Sequence, residues 1–289
     1  MVRKIRNSRV FVLLLKSLGA LLIILAVTGC SSLFYIAREP GKKFFDPSQV
    51  GLLQEEVEFA NKDGTRLHGW WFDSKIKPAK GTVIFFHGNA ENLTTHFLSL
   101  AWLPQEGFNY FIFDYPNYGV SEGEPSPYTT VISGQAALKW VNSNKDPKPL
   151  IVYGHSLGGN IALRTVLDLK NEVPLRAVVL DGTFLSYRSI ARKKASQNWI
   201  LWILQPVAWL IMNDEYAPHE IERRAPVPLL VIHGQKDGVI PPEYGYEIFE
   251  KSPEPKEIWR IDEGQHGDTF WAHQKKYRQK FLDYLAQHP

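Results

Sequence analysis

The chain of 289 residues predicts an α/β fold: a mostly parallel eight-stranded sheet flanked by helices, with a helical insert after the sixth strand. Three observations carry that expectation. Short apolar, β-forming runs recur without polar alternation, as in strands buried on both faces. Stretches with apolar residues at helical spacing separate them, and strands that alternate with helices build parallel sheets. The first two runs instead flank Asn61-Lys-Asp-Gly64, a hairpin signal, so the sheet begins antiparallel.

The N-terminus reads as an address. Met1 to Arg9 is basic, Leu18 to Val27 is a ten-residue apolar core, and Thr28-Gly29-Cys30 follows. That is signal-peptide architecture. The apolar run is about half of what a spanning helix needs. Residues 1–29 are therefore taken as a signal peptide, 30–50 as a tether and 51–289 as the folded domain. Cys30 is the only cysteine, so no intrachain disulfide forms. Arg3, Lys4, Arg6, Arg9 and Lys16 precede it with no acidic residue among them. Without them 28 basic residues face 30 acidic ones, and no basic field for nucleic acid remains.

The first strands are Glu55–Phe59 and Arg66–Phe72. Gly81–His87 is the third, and Glu91 to Glu106 reads as the helix after it. Phe108–Asp114 is the fourth, followed by the glycine-bearing loop Tyr115–Gly123 and a helix from Thr129 to Val141. Leu150–Tyr153 is the fifth, and Asn160 to Leu167 has helical spacing. Leu175–Asp181 is the sixth. The insert, about residues 185–222, carries Trp199, Trp202 and Trp209 in a stretch too short to span a bilayer and too apolar to lie exposed. Three readings fit: a cap whose tryptophans line an acyl pocket, the core of an inserted helix pair, or a segment dipping into a membrane. Val227–His233 and Lys256–Ile261 are the last strands. A closing helix runs from Thr269 to about Ala286, with Asp268 as its N-cap.

The chemistry gathers where strands end. Gly154-His155-Ser156-Leu157-Gly158 is G-x-S-x-G between a buried strand and a helix, the context of a nucleophile on a strained turn. Ser156, Asp237 and His266 follow in the order nucleophile, acid, base, each just after a strand. Parallel strands share their carboxyl edge, so the three can meet there. A serine hydroxyl needs a base, imidazole titrates near neutrality, and a carboxylate fixes its tautomer. His266 is preferred among nine histidines for its glycine-flanked loop after the last strand. His155 is expected to point elsewhere, and His87 to shape its loop. Asp181 also ends a strand and is the rival acid, though bracing the insert is its simpler role. The backbone N–H groups of Asn89 and Leu157 are the candidate oxyanion donors. No histidine–carboxylate cluster has metal-ligand spacing, and no cofactor is implied.

Phe85-Phe-His-Gly-Asn-Ala-Glu-Asn92, Phe113-Asp-Tyr-Pro-Asn-Tyr-Gly119, Gly154-His-Ser-Leu-Gly-Gly159 and Gly264-Gln-His-Gly-Asp-Thr269 together resemble the α/β-hydrolase superfamily, in its membrane-associated Bem46-type branch. The branch usually has arginine at Pro116 and often asparagine at Gly267, departures that touch loop shape. The resemblance implies a serine hydrolase acting on esters, thioesters or amides. The apolar insert and the anchor favour an acyl or lipid-like ester over a peptide; the alternatives are an aminopeptidase-like amidase on the same three residues and a non-catalytic envelope binding module. Val27-Thr28-Gly29-Cys30 resembles a bacterial lipoprotein box, which implies cleavage before Cys30 and lipidation there; an uncleaved anchor is the alternative. Ser31 after that cysteine implies outer-membrane sorting, facing the periplasm, where the cell has an outer membrane. The expectation is a monomer on the cell envelope that binds a small acyl ester and no nucleic acid.

Overall fold

The computed structural model describes residues 34–37, 39, 41–145, 149–169, 172–197, 205–206, 209 and 212–288. The signal segment, Cys30, Trp199 and Trp202 lie outside the described residues. Two compact units emerge. Among the described residues, one unit holds those between Ser186 and Glu215, and the other those of Phe34–Leu185 and from Tyr216 on.

The larger unit is built on β1 (Glu55–Ala60), β2 (Arg66–Phe72), β3 (Thr82–Phe86), β4 (Asn109–Phe113), β5 (Leu150–His155), β6 (Leu175–Asp181), β7 (Leu229–Gly234) and β8 (Lys256–Ile261). Among the described residues they form one eight-stranded sheet in the order β1-β2-β4-β3-β5-β6-β7-β8. β1 and β2 run antiparallel, β2 pairs antiparallel with β4, and every later pairing is parallel. β3 and β4 are buried at every position, as expected where helices cover both faces.

Helices among the described residues include α1 (Leu93–His96), α2 (Pro127–Asn144), α3 (Leu157–Leu169), α4 (Tyr187–Ser196), α5 (Glu243–Lys251) and α6 (Gln274–Gln287). On one face Tyr153, Val179 and Ile232 pack with Phe281 and Tyr284 of α6 and with Leu93, Phe97 and Leu103. On the other, α2 and α3 press together at Gly134, where a Cβ would stand 2.5 Å from the Phe86 ring and 2.6 Å from Thr165 Oγ1. α4, in the smaller unit, is capped by Ser186, and Asp214 accepts from both the Ser186 hydroxyl and the Arg188 N–H.

Two expected helices are corrected. Glu91 to Glu106 is not one helix. Ala90 and Glu91 take φ of +63° and +53°, so the helix cannot start before Asn92, which caps α1. After α1 the chain tightens into a 3₁₀ turn at Phe97–Ser99, Leu100 leaves helical geometry, and a separate 3₁₀ turn follows at Leu103–Glu106. The closing helix starts at Gln274, not Thr269, and its cap position is His273. Asp268 is no N-cap. Its carbonyl accepts the N–H groups of Trp271 and Ala272 in a turn that buries Phe270.

The stretch expected as a tether is bound to the domain from Phe34 onward. The Ile36 N–H donates to Asn89 Oδ1 (2.8 Å), Gly41 N–H to the Gly119 carbonyl (2.6 Å) and Phe44 N–H to Thr94 Oγ1 (3.0 Å). Asn92 Nδ2 donates to the Lys42 carbonyl (2.8 Å), and Tyr35 is buried. This strap crosses the loops that follow β3 and β4.

Candidate active site

β5 ends at His155, α3 starts at Leu157, and Ser156 alone makes the turn. Its φ of +54° is left-handed, a strained conformation for a residue with a Cβ. The turn is held from both sides: the Ser156 N–H donates to the Asp181 carbonyl (2.9 Å), and the Thr183 hydroxyl donates to the Ser156 carbonyl (2.6 Å). Gly158 is required, because a Cβ there would run into the carbonyl oxygens of Phe86 and His87 at the end of β3. As the first residue of α3, Leu157 has no intrahelical acceptor for its N–H, which points with the positive end of the helix dipole.

Asp237 follows β7 and is buried. Its Oδ1 accepts the N–H groups of Val239 and Ile240, both at 2.8 Å, and its Oδ2 accepts from His266 Nδ1 at 2.7 Å. Burial pushes this carboxyl up, but the hydrogen bond and charge of His266 and the two N–H donors outweigh it and hold it below the usual range. Behind it, His233 donates Nε2–H to the Ile240 carbonyl, with Nε2 3.6 Å from Asp237 Oδ2. Gly182, at φ +57°, backs the pair: a Cβ there would lie 3.2 Å from Asp237 Oδ2 and 3.3 Å from His266 Nδ1. The structure thus joins Asp237 to His266 and gives Asp181 another partner, the Tyr153 hydroxyl at 2.7 Å. Burial raises the Asp181 carboxyl to about 6.

His155 does not point away from the site, as expected from the sequence. Its ring lies against that of His266, with centroids 4.7 Å apart, and Nδ1–H donates to the Asp181 carbonyl. Burial and the nearby charge of His266 push its pKa well down, so it stays a neutral wedge. Gly267, at φ +69°, makes room for it, since a Cβ there would sit 2.5 Å from His155 Cε1.

The loop after β3 is held as tightly. Gly88 lies beside the elbow, its would-be Cβ 3.5 Å from Ser156 Cβ. The Asn89 side chain is locked, its Oδ1 accepting from the N–H groups of Ile36 and Ala90 and from the Tyr118 hydroxyl. His87 is fully buried between the rings of His96 and Tyr115, its Nδ1–H on the Gly88 carbonyl and its Nε2 3.3 Å from Asp114 Oδ1. Burial lowers His96 to about 3. Tyr118, Asp114 and Ile36 escape sequence reasoning because each acts through a contact distant in the chain. A cavity of about 500 Å³ opens beside His266, among Phe85, Leu98, Tyr153, Asp181, Phe270 and Trp271. Of the three expected pocket tryptophans only Trp209 is described; it is half-exposed, with the Arg188 guanidinium 5.0 Å from its ring. Among the described residues no group of three His, Cys, Asp or Glu could hold a metal, and no helix is long and apolar enough to cross a membrane.

A family profile described as "Serine aminopeptidase, S33" matches residues 77–225. YfhR of Escherichia coli K12 is 35% identical over 253 residues, 85% of this chain and 84% of the relative. Bem46 of Schizosaccharomyces pombe is 26% identical over 247 residues, 83% of this chain and 79% of its own. The lysophosphatidylserine lipase ABHD12 of Danio rerio is 26% identical over 197 residues, 65% of this chain and 51% of its own. Among solved structures, an esterase of Pyrococcus furiosus superposes with a TM-score of 0.69 at 21% identity, covering 88% of this chain and 98% of that one. That last likeness is one of fold. Together with the parallel sheet and the serine elbow at its carboxyl edge, these matches show that the chain belongs to the serine aminopeptidase S33 family of α/β-hydrolases.

Proposed function

We propose that the chain is a membrane-anchored serine hydrolase that cleaves a carboxylic ester or thioester of an acyl or lipid-like substrate. The observation that carries this reading is the 2.7 Å hydrogen bond from His266 to Asp237, on the same sheet edge as the strained Ser156. Asp237 holds the proton on His266 Nδ1, which leaves Nε2 as the basic nitrogen. His266 takes the proton of the Ser156 hydroxyl as Oγ attacks the acyl carbonyl, a contribution of roughly 10²–10⁴ in rate. The N–H groups of Asn89 and Leu157 receive the oxyanion, each worth about 3 kcal/mol in the barrier. His266 then protonates the departing alcohol or thiol, and water releases the acyl group by the same steps in reverse.

The basic, apolar and cysteine-ending N-terminus supports anchoring through Cys30 on the cell envelope. The apolar cavity walls beside His266 and the lipase among the relatives favour a lipid-like acyl group. The test is a fluorophosphonate probe on the full chain, with the adduct located by mass spectrometry. Labelling of Ser156 that is lost in His266→Ala is expected. Absence of labelling, or labelling of Ser156 that survives His266→Ala, would overturn the assignment. The family's description favours a second reading, an aminopeptidase-like amidase on the same residues. A panel of acyl esters, thioesters and aminoacyl amides separates the two by relative kcat/KM.

A further inference from the structure

We propose that the carboxyl edge of the sheet, where the candidate site lies, is the face that rests on the bilayer. The inference builds on the membrane-anchored reading and adds to it an orientation and a source of substrate. Its first support is the strap. Ile36 is fixed to Asn89, in the loop after β3, by its N–H. The chain from Cys30 to Ile36 is six residues, at most about 20 Å fully extended. From Val27, the end of the apolar core, it is nine residues, at most about 30 Å. A domain of this size is about 45 Å across. Whether lipid on Cys30 or the uncleaved apolar core holds the membrane, the leash starts at the carboxyl edge and is too short to carry the opposite edge to the bilayer.

The second support is the surface at that edge. Trp271 is 79% exposed in the loop after β8, and Val120 is 57% exposed in the loop after β4. Val239, after β7, and Ile36 itself are each nearly half exposed. All four sit beyond the carboxyl ends of mutually parallel strands or are bonded to a loop that does. Tryptophan favours the membrane–water boundary, and short aliphatic side chains gain by entering it. Exposed Leu53 and Ile76 lie instead towards the amino edge, near the start of β1 and before β3. With the carboxyl edge on the membrane, the acyl ester reaches Ser156 from the lipid layer and not from bulk water.

The test uses the full chain in vesicles of phosphatidylcholine and phosphatidylglycerol that carry a nitroxide high on the acyl chain. An environment-sensitive thiol probe is placed through Trp271→Cys, Val120→Cys and, as a control at the other edge, Leu53→Cys, which replaces a residue 78% exposed. The wild-type chain, whose one thiol is Cys30, gives the background. Side chains seated about 5–10 Å into the boundary are quenched, so quenching at 271 and 120 at least about threefold stronger than at 53 is expected. Equal quenching at all three positions, or none at 271 and 120 in a chain that floats with the vesicles, would overturn the docking. A chain that does not float overturns the anchored reading and the docking with it. The readout involves no hydrolysis, so it is independent of whether Ser156 reacts with fluorophosphonate.

Discussion

Two carboxylates end neighbouring strands in this chain, and their surroundings send them in opposite directions. Asp237, fed by two N–H groups and His266, is held ionised; its contribution to stability is present above the ordinary carboxyl pKa and is lost as pH falls through its lowered folded value. Asp181, raised to about 6 by burial, is the reverse. The folded state holds its proton more tightly than the unfolded chain, so stability declines as pH rises from about 4 through about 6. At ~1.4 kcal/mol per unit, the cost at neutral pH is on the order of 3 kcal/mol. Asp181→Asn keeps an acceptor for the Tyr153 hydroxyl and removes the charge. Thermal melts should show the variant more stable than wild type at pH 8 and close to it at pH 4; equal melting at pH 8 would mean that the cavity solvates the carboxylate. Asp237→Asn should instead fold normally and lower kcat by about 10³–10⁴ with little change in KM. Order along the chain left both aspartates eligible. What separates them is a partner across the fold, Tyr153 for one and His266 for the other, and such pairings have no signature in a single sequence.

The elements were legible to the extent that they are made by apolar pattern. All eight strands fall where β-forming runs predict them: central strands such as β3 and β4 write their burial into every position, and the edge strand β1 shows an exposed–buried alternation. The failures lie where backbone geometry overrides side-chain pattern. Ala90 and Glu91 occupy left-handed conformations that composition does not announce, and they delay α1. The segment after His266 runs seven residues, 267–273, before α6 begins, so the aspartate directly after Gly267 looked like a cap and is not one. The loop after β3, which the proposed mechanism uses for the oxyanion, shows the consequence for function: its shape is set by Asn89 Oδ1, which gathers three donors from three segments. Removing one should misplace the loop without unfolding it. Ile36→Pro deletes the strap's N–H donor, while Ile36→Ala retains it. The proline variant should lose roughly tenfold in kcat, the share of one neutral hydrogen bond of ~1 kcal/mol plus the misalignment it permits, with KM nearly unchanged. The alanine variant should match wild type. Combining Ile36→Pro with Tyr118→Phe should cost more than the sum of the two, since Asn89 then keeps only its neighbour's N–H.

At the scale of the whole molecule, the boundary between tether and domain was the least legible feature. The strap lacks a strand or helix pattern and reads as a linker because its described residues bind through backbone groups and through a few side chains, chiefly buried Tyr35 and Phe34 against the Phe184 ring. Their effect is nonetheless global. They clasp the loops after β3 and β4, on the half of the sheet where the antiparallel β1–β2 pair leaves fewer crossover helices to do so. A chain that begins at Phe34 keeps every one of these contacts, whereas one that begins at Lys43 loses the Tyr35 side chain and the bonds to Asn89 and Gly119. Burial of an aromatic ring and hydrogen bonds at ~1 kcal/mol each put the difference at roughly 3 kcal/mol or more. Urea unfolding should therefore give the shorter chain a lower midpoint with a nearly unchanged slope, because the surface exposed by the rest of the fold is the same. Its kcat should fall at least as far as that of Ile36→Pro, since the donor to Asn89 is gone in both. An equal midpoint for the two chains would show that the strap merely lies on the domain. A lower midpoint with undiminished kcat would assign it to stability alone and leave the oxyanion loop to Tyr118.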